Sequence, residues 1–186
     1  MTAIFNKPTD YKPAKDLRVL YSKDDLDARL HNLAKEIVHL CGKEFLLIGL
    51  LKGSFVFVAD LVRALHYQEC TPQVDFMTLS SYGASKKSSG SITLNSFCAD
   101  DIKGKKILLV DDILESGNTL HFAKKLMLEK GADCVHICVL LDKPNKRQQQ
   151  INADVTGFEI EDTFVVGYGL DYAGFYRELP FIGALD

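Results

Sequence analysis

Lys106-Ile107-Leu108-Leu109-Val110-Asp111-Asp112 runs without a break into Ile113-Leu114-Glu115-Ser116-Gly117-Asn118-Thr119-Leu120. The first half is an almost uninterrupted apolar run, the pattern of a parallel strand covered on both faces. The second half places hydroxyls and a glycine just before a helix predicted from about Asn118 to Lys130, with Gly131 as its stop. The same order recurs upstream, where Phe45 to Leu51 (FLLIGLL) ends in Lys52-Gly53-Ser54 and leads into a helix over about Phe55 to His66. Before it, Leu26, Leu30, Leu33, Ile37 and Leu40 recur at helical spacing behind a Ser22 cap, with Gly42 closing the helix near Cys41. Gln73 to Ser80 and Ile92 to Phe97 alternate as strands around a polar, Gly/Ser/Lys-rich segment that reads as a mobile hairpin loop. Cys134 to Leu141 is a further strand, ending at Asp142-Lys143-Pro144, and Thr163 to Gly169 (TFVVGYG) reads as the last one. Strands alternating with helices predict an α/β fold, an open, mainly parallel twisted sheet with helices on both faces and ligands at the carboxyl ends of the strands. The N-terminal arm and the tail after about Asp171 are left to form a small cap on a single domain spanning 1–186.

Composition narrows the function. The chain has 186 residues, 47% of them hydrophobic, a size that one core can serve. No apolar run approaches the roughly 20 residues that cross a bilayer, and Met1 to Asp10 lacks the basic-then-apolar order of a signal peptide. A cytoplasmic protein with no membrane partner is expected. Five cysteines without a CxxC pair argue against a disulfide framework and read as small buried hydrophobes, and the five histidines show no ligand spacing. A net charge of -3 argues against a nucleic-acid partner and for a small anionic ligand.

The turn after the strand supplies such a ligand's contacts. Backbone amides at a helix N-terminus, Gly117 for close approach, and the Ser116 and Thr119 hydroxyls make a cradle for a monophosphate, with Asn118 inside it. Asp111 and Asp112 immediately upstream can hold a hydrated magnesium ion and accept from the vicinal hydroxyls of a sugar. Phosphate, ribose and metal are thus expected on one continuous turn.

The order of apolar strand, acidic pair, two apolar residues, an acid and then Ser-Gly-x-Thr resembles the phosphoribosyl pyrophosphate motif of the type I phosphoribosyltransferases. The resemblance covers most of the chain and sharpens to the hypoxanthine-guanine phosphoribosyltransferases of purine salvage. Leu51-Lys52-Gly53-Ser54 looks like their pyrophosphate loop, which implies that the Lys52 and Gly53 backbone meets the leaving group, often through a cis peptide. Ser81-Tyr82 is similar to the catalytic lid. Lys143 matches the lysine that contacts the purine O6. Phe164 to Tyr172 matches the base and second metal segment, implying that Phe164 stacks on the base, Val165 meets its edge through the backbone and Asp171 reaches the metal. Arg177 falls where an arginine binds pyrophosphate. The resemblance also implies magnesium as cofactor, with Asp111, Asp112 and Asp171 as its ligands, and a homo-oligomer, dimer or tetramer.

The implied reaction displaces pyrophosphate from C1 of phosphoribosyl pyrophosphate by N9 of hypoxanthine or guanine, through positive charge building on the sugar. An ammonium only donates, so Lys143 suits a 6-oxo acceptor and is mismatched with the amino group of adenine. Where these enzymes generally carry Asp as proton acceptor at purine N7, this chain has Glu115, one methylene longer. Two rival classes have the same raw material. A regulator that binds phosphoribosyl pyrophosphate without catalysis would usually lose acidic or base-reading residues or gain a basic extension, and a phosphoacceptor domain would need a second acidic cluster upstream; neither is found.

Overall fold

The computed structural model describes residues 7–81, 92–97 and 101–185. In chain order its elements are β1 (Arg18–Tyr21), α1 (Lys23–Cys41), β2 (Leu46–Leu51), α2 (Phe55–His66), β3 (Gln73–Ser81), β4 (Ile92–Phe97), β5 (Lys106–Leu114), α3 (Asn118–Glu129), β6 (Cys134–Asp142), β7 (Val155–Glu159), β8 (Val165–Val166) and β9 (Ile182–Ala184). Among the described residues the strands make two sheets, one ordered β4-β3-β2-β5-β6-β7 and one ordered β1-β9-β8. The larger is parallel except for β4, which runs antiparallel to β3.

The apolar runs are explained by burial on both faces. Leu47, Leu108, Val110, Cys138 and Leu140 pack with α1 and α2 on one side. Their chain neighbours Leu46, Ile48, Leu109, Ile137 and Val139 pack with Leu120, Ala123 and Met127 of α3 on the other. A strand whose successive side chains all enter a core shows no polar alternation. The start of α1 is set locally: Ser22 Oγ accepts from the Asp25 amide at 3.2 Å while the Asp25 carboxylate accepts from the Ser22 amide at 2.9 Å, so two otherwise unpaired donors are satisfied.

Three readings of the sequence change. Thr163 to Gly169 is not a strand of the main sheet: only Val165–Val166 is extended, and it pairs antiparallel with β9. Gly167, Tyr168 and Gly169 take positive φ and turn the chain away. The sixth strand of the main sheet is instead β7, whose Gly157 lies so close to β6 that a Cβ would meet Leu140 O at 2.3 Å. β5 also runs on past the acidic pair, with Leu114 in register with Asp142, so the aspartates sit on the strand and the turn begins only at Glu115. β1, near the N-terminus, pairs antiparallel with β9, near the C-terminus. The predicted lid, Ser81 and Tyr82, lies outside the described residues but for the Ser81 backbone closing β3.

Candidate active site

The carboxyl ends of β2 and β5 open into a cleft of about 320 Å³ lined by Lys52, Gly53, Asp111, Asp112, Ser116 and Thr119, among others. A cavity of about 720 Å³ at the opposite end of the strands is lined by Cys41, Phe45 and Lys106, among others, and by none of the candidate site residues. Gly117 has φ +82° and caps α3, whose first amides have no intrahelical carbonyl to bond. Ser116 Oγ accepts from the Asn118 amide at 3.3 Å, and the Asn118 side chain is tied to Gln148 and Gln149 at 3.1 and 2.9 Å. Asn118 therefore braces the loop, and Ser116 and Thr119 line the cleft.

The acidic pair and the Lys52-Gly53 loop are in direct contact. A Cβ placed on Gly53 would lie 1.7 Å from the Asp112 carboxylate, so only glycine lets the loop pass this close. The Leu51–Lys52 peptide is cis. A Cβ on Gly169 would in turn lie 2.2 Å from the Gly53 carbonyl, and Arg177 Nη1 donates to the Gly169 carbonyl at 2.5 Å. Arg177 is thereby carried to the rim beside Asp171, whose carboxylate it meets at 2.6 Å and which also accepts from the Gly174 amide at 2.8 Å.

Burial, more than any neighbour, pushes the Asp111 carboxyl well above the usual carboxylate range, and the Asp112 charge adds to it. Asp112 is raised too, again by burial, with hydrogen bonds from Asp111 and the backbone, and more weakly Arg177, offsetting part of the effect. Two carboxylates this poorly solvated gain most from a cation or from hydroxyl donors. Among the described residues no three metal-ligating side chains converge. Asp171 thus stands apart from Asp111 and Asp112, an arrangement compatible with magnesium, which binds one or two carboxylates and completes its shell with water and substrate phosphate oxygens.

On the other flank, Lys143 follows β6 and is only 4% exposed. Its amide donates to the Leu114 carbonyl at 2.9 Å, and its ammonium is ion-paired with Glu115, whose side chain remains 49% exposed. Phe164 is 52% exposed, with its ring edge-on to Tyr172 at 5.6 Å, while Val165 is buried against β9. Tyr172 itself donates to Asp10 of the N-terminal arm at 2.9 Å.

Residues 22–173 match the phosphoribosyl transferase domain. The chain belongs to that family. A hypoxanthine phosphoribosyltransferase of Escherichia coli K12 is 39% identical over 170 residues, 90% of this chain and 94% of its own. A hypoxanthine-guanine phosphoribosyltransferase of Aquifex aeolicus is 44% identical over 168 residues, 89% of this chain and 93% of its own. The crystal structure of a hypoxanthine phosphoribosyltransferase from Staphylococcus aureus superposes with a TM-score of 0.86 at 37% identity, covering 92% of this chain and 93% of that one.

For a phosphoribosyl transferase the site holds two kinds of residue that sequence reasoning passed over. Gly169 carries Arg177 and touches the Lys52-Gly53 loop; its neighbour Gly167 was the available signal. Arg147, in the polar run NKRQQQ, is mostly buried among the carbonyls beneath the Glu115-Ser116 turn. Nothing in its local pattern distinguishes it.

Proposed function

We propose that this phosphoribosyl transferase joins a 6-oxopurine, hypoxanthine or guanine, to phosphoribosyl pyrophosphate with magnesium as cofactor, giving the nucleoside monophosphate and pyrophosphate. The observation that carries the reading is the Lys143–Glu115 pair. A 6-oxopurine presents O6 and N7–H on one edge, an acceptor beside a donor, and the ammonium and carboxylate form the matching donor and acceptor. Adenine would bring an amino group to an ammonium, leaving two donors face to face at a nearly inaccessible position, a mismatch that costs several orders of magnitude in comparable sites.

The residues divide the work along the cleft. Ser116, Gly117, Asn118 and Thr119 take the 5-phosphate of the sugar, and Asp111 and Asp112 accept from its 2- and 3-hydroxyls. The Lys52 and Gly53 backbone and Arg177 face the pyrophosphate. Asp111 and Asp112, and Asp171 on the far side, are the residues that would hold magnesium, which when bound neutralises the departing pyrophosphate. Phe164 offers an exposed ring for the base to stack on, next to the Val165 backbone. As the bond from C1 to the pyrophosphate oxygen breaks and the N9–C1 bond forms, Glu115 accepts the N7 proton and Lys143 holds O6. Water must be kept from the charged sugar, a task for the Ser81-Tyr82 segment.

The chain acts as one domain, in the cytoplasm, as a homo-oligomer. The exposed Phe55 of α2 and the exposed Val74 and Phe76 of β3 supply apolar surface for such contacts. Among the described residues no helix is long and apolar enough to cross a membrane. The test is pyrophosphate release from phosphoribosyl pyrophosphate with a panel of purines. Hypoxanthine or guanine should turn over, and chelation of magnesium should abolish it. Preference for adenine, or full activity in excess chelator, would refute the reading, and binding of phosphoribosyl pyrophosphate without turnover of any base would favour a non-catalytic regulator.

A further inference from the structure

Beneath the site, one guanidinium touches three separate segments of chain. Arg147 Nη1 donates to the carbonyls of Leu114 at 2.8 Å and Glu115 at 2.6 Å, and is within 3.3 Å of the Lys143 carbonyl. Nε donates to the Ile151 carbonyl at 3.1 Å, and Nη2 is bonded to the Asp142 carboxylate. Both members of that ion pair are largely shielded from solvent. The contacts thus gather the end of β5, the end of β6 and the loop behind them around a single planar group.

The positions of these acceptors matter more than their number. The Glu115 carbonyl and the Ser116 amide belong to one rigid peptide plane, so holding the carbonyl down aims the first amide of the phosphate loop. It also sets the direction in which the Glu115 side chain leaves the backbone. The Lys143 carbonyl does the same for the base-side lysine, whose amide is already bonded to Leu114. Further along, the Gln148 and Gln149 amides both donate to the Ser116 carbonyl, at 2.9 and 3.1 Å, so the segment after Arg147 supports the phosphate loop from below.

We propose that Arg147 is a positioning residue: a clasp that fixes Glu115 and Lys143 relative to each other and to the phosphate loop, so that the base edge and the sugar phosphate are held in one frame. This rests on the reading of Lys143 and Glu115 given above. Arg147 is turned toward backbone carbonyls and Asp142, so it touches no substrate. Its geometry is specific to arginine, whose donors are spread over a fixed fork, whereas an ammonium is a point that cannot span the same acceptors.

The experiment is a double-mutant cycle in steady-state kinetics with hypoxanthine, phosphoribosyl pyrophosphate and magnesium, using Arg147→Met, Lys143→Ala, the double variant and Arg147→Lys, each checked by thermal melting. Displacement of catalytic groups by about 1 Å is expected to cost up to ~100-fold, so Arg147→Met should lower kcat by roughly 10- to 100-fold and raise the hypoxanthine KM about tenfold. Because the KM effect acts through Lys143, adding Arg147→Met to Lys143→Ala should change the hypoxanthine KM by less than about twofold, whereas independent sites would add. Arg147→Lys should melt near the parent and still fail to restore that KM. Additive effects, full rescue by Arg147→Lys, or a lowered melting point with unchanged kinetics would each overturn the clasp. A hypoxanthine KM left intact by Lys143→Ala alone would overturn the underlying reading of the base site, and the clasp with it.

Discussion

Gly53→Ala tests the closest contact in the cleft. The added Cβ would stand 1.7 Å from Asp112 Oδ2 and 2.4 Å from its Cγ, where non-bonded atoms settle at about 3.5 Å, so something must move by well over 1 Å. Asp112 is not free to swing aside, since its other carboxylate oxygen accepts from the Ile113 amide at 3.1 Å. The loop cannot retreat easily either, because its carbonyl is packed against Gly169. Either response shifts a group assigned to the sugar hydroxyls or to pyrophosphate. Displacement of that size is expected to lower kcat/KM for phosphoribosyl pyrophosphate by about 100-fold or more, with a much smaller change in the KM for the base. The overpacking itself should cost about 1 to 3 kcal/mol, a fall in Tm of roughly 2 to 12 °C for a chain of this size. Steady-state kinetics in the synthetic direction, with melting followed by circular dichroism, reads both. A folded variant whose kcat/KM stays within about threefold of the parent would show that the contact between loop and acidic pair has no part in turnover.

Glu115→Gln keeps the size of the side chain and removes the proton acceptor; kcat should fall by roughly 10² to 10⁴-fold, and a change within about threefold would leave Glu115 as a partner for Lys143 only. Gly117→Ala combines a left-handed φ of +82° with a Cβ only 2.5 Å from Ile151 Cγ2, so the KM for phosphoribosyl pyrophosphate should rise at least tenfold while the base KM changes little; equal rises in both would contradict a phosphate role for the loop. Burial pushes the Cys41 thiol from its ordinary 9.0 up to about 12, so the native protein keeps the proton that the unfolded chain releases above pH 9. Stability from this source is full below about pH 9 and declines as pH rises toward 12. At pH 8 a disulfide reagent should therefore label Cys41 and the buried Cys138 only in denaturant, and rapid labelling of Cys41 in the native protein, located by mass spectrometry, would refute that burial.

Much of the site was legible in the sequence because it is local. Strand, acidic pair, glycine turn and helix follow one another within Lys106 to Glu129, and each local preference agrees with its neighbours. Buried apolar runs announced β2, β5 and β6, since burial on both faces removes the polar alternation of a half-exposed strand. Tertiary structure decided what depends on distant segments. β7 and β9 are too short and mixed to declare themselves, and become strands because β6 and β1 offer them free edges. TFVVGYG carries the residues of a core strand, but positive φ at Gly167, Tyr168 and Gly169 sends it to the small sheet. The pairing of Glu115 with Lys143 spans 28 positions, and the approach of Gly53 to Asp112 spans 59. Both arise because parallel strands bring their carboxyl ends to one edge whatever their separation in the chain. Arg147 shows the limit most plainly, because an arginine in a polar run becomes a mostly buried hub of hydrogen bonds only where folding has placed carbonyls from other segments within its reach.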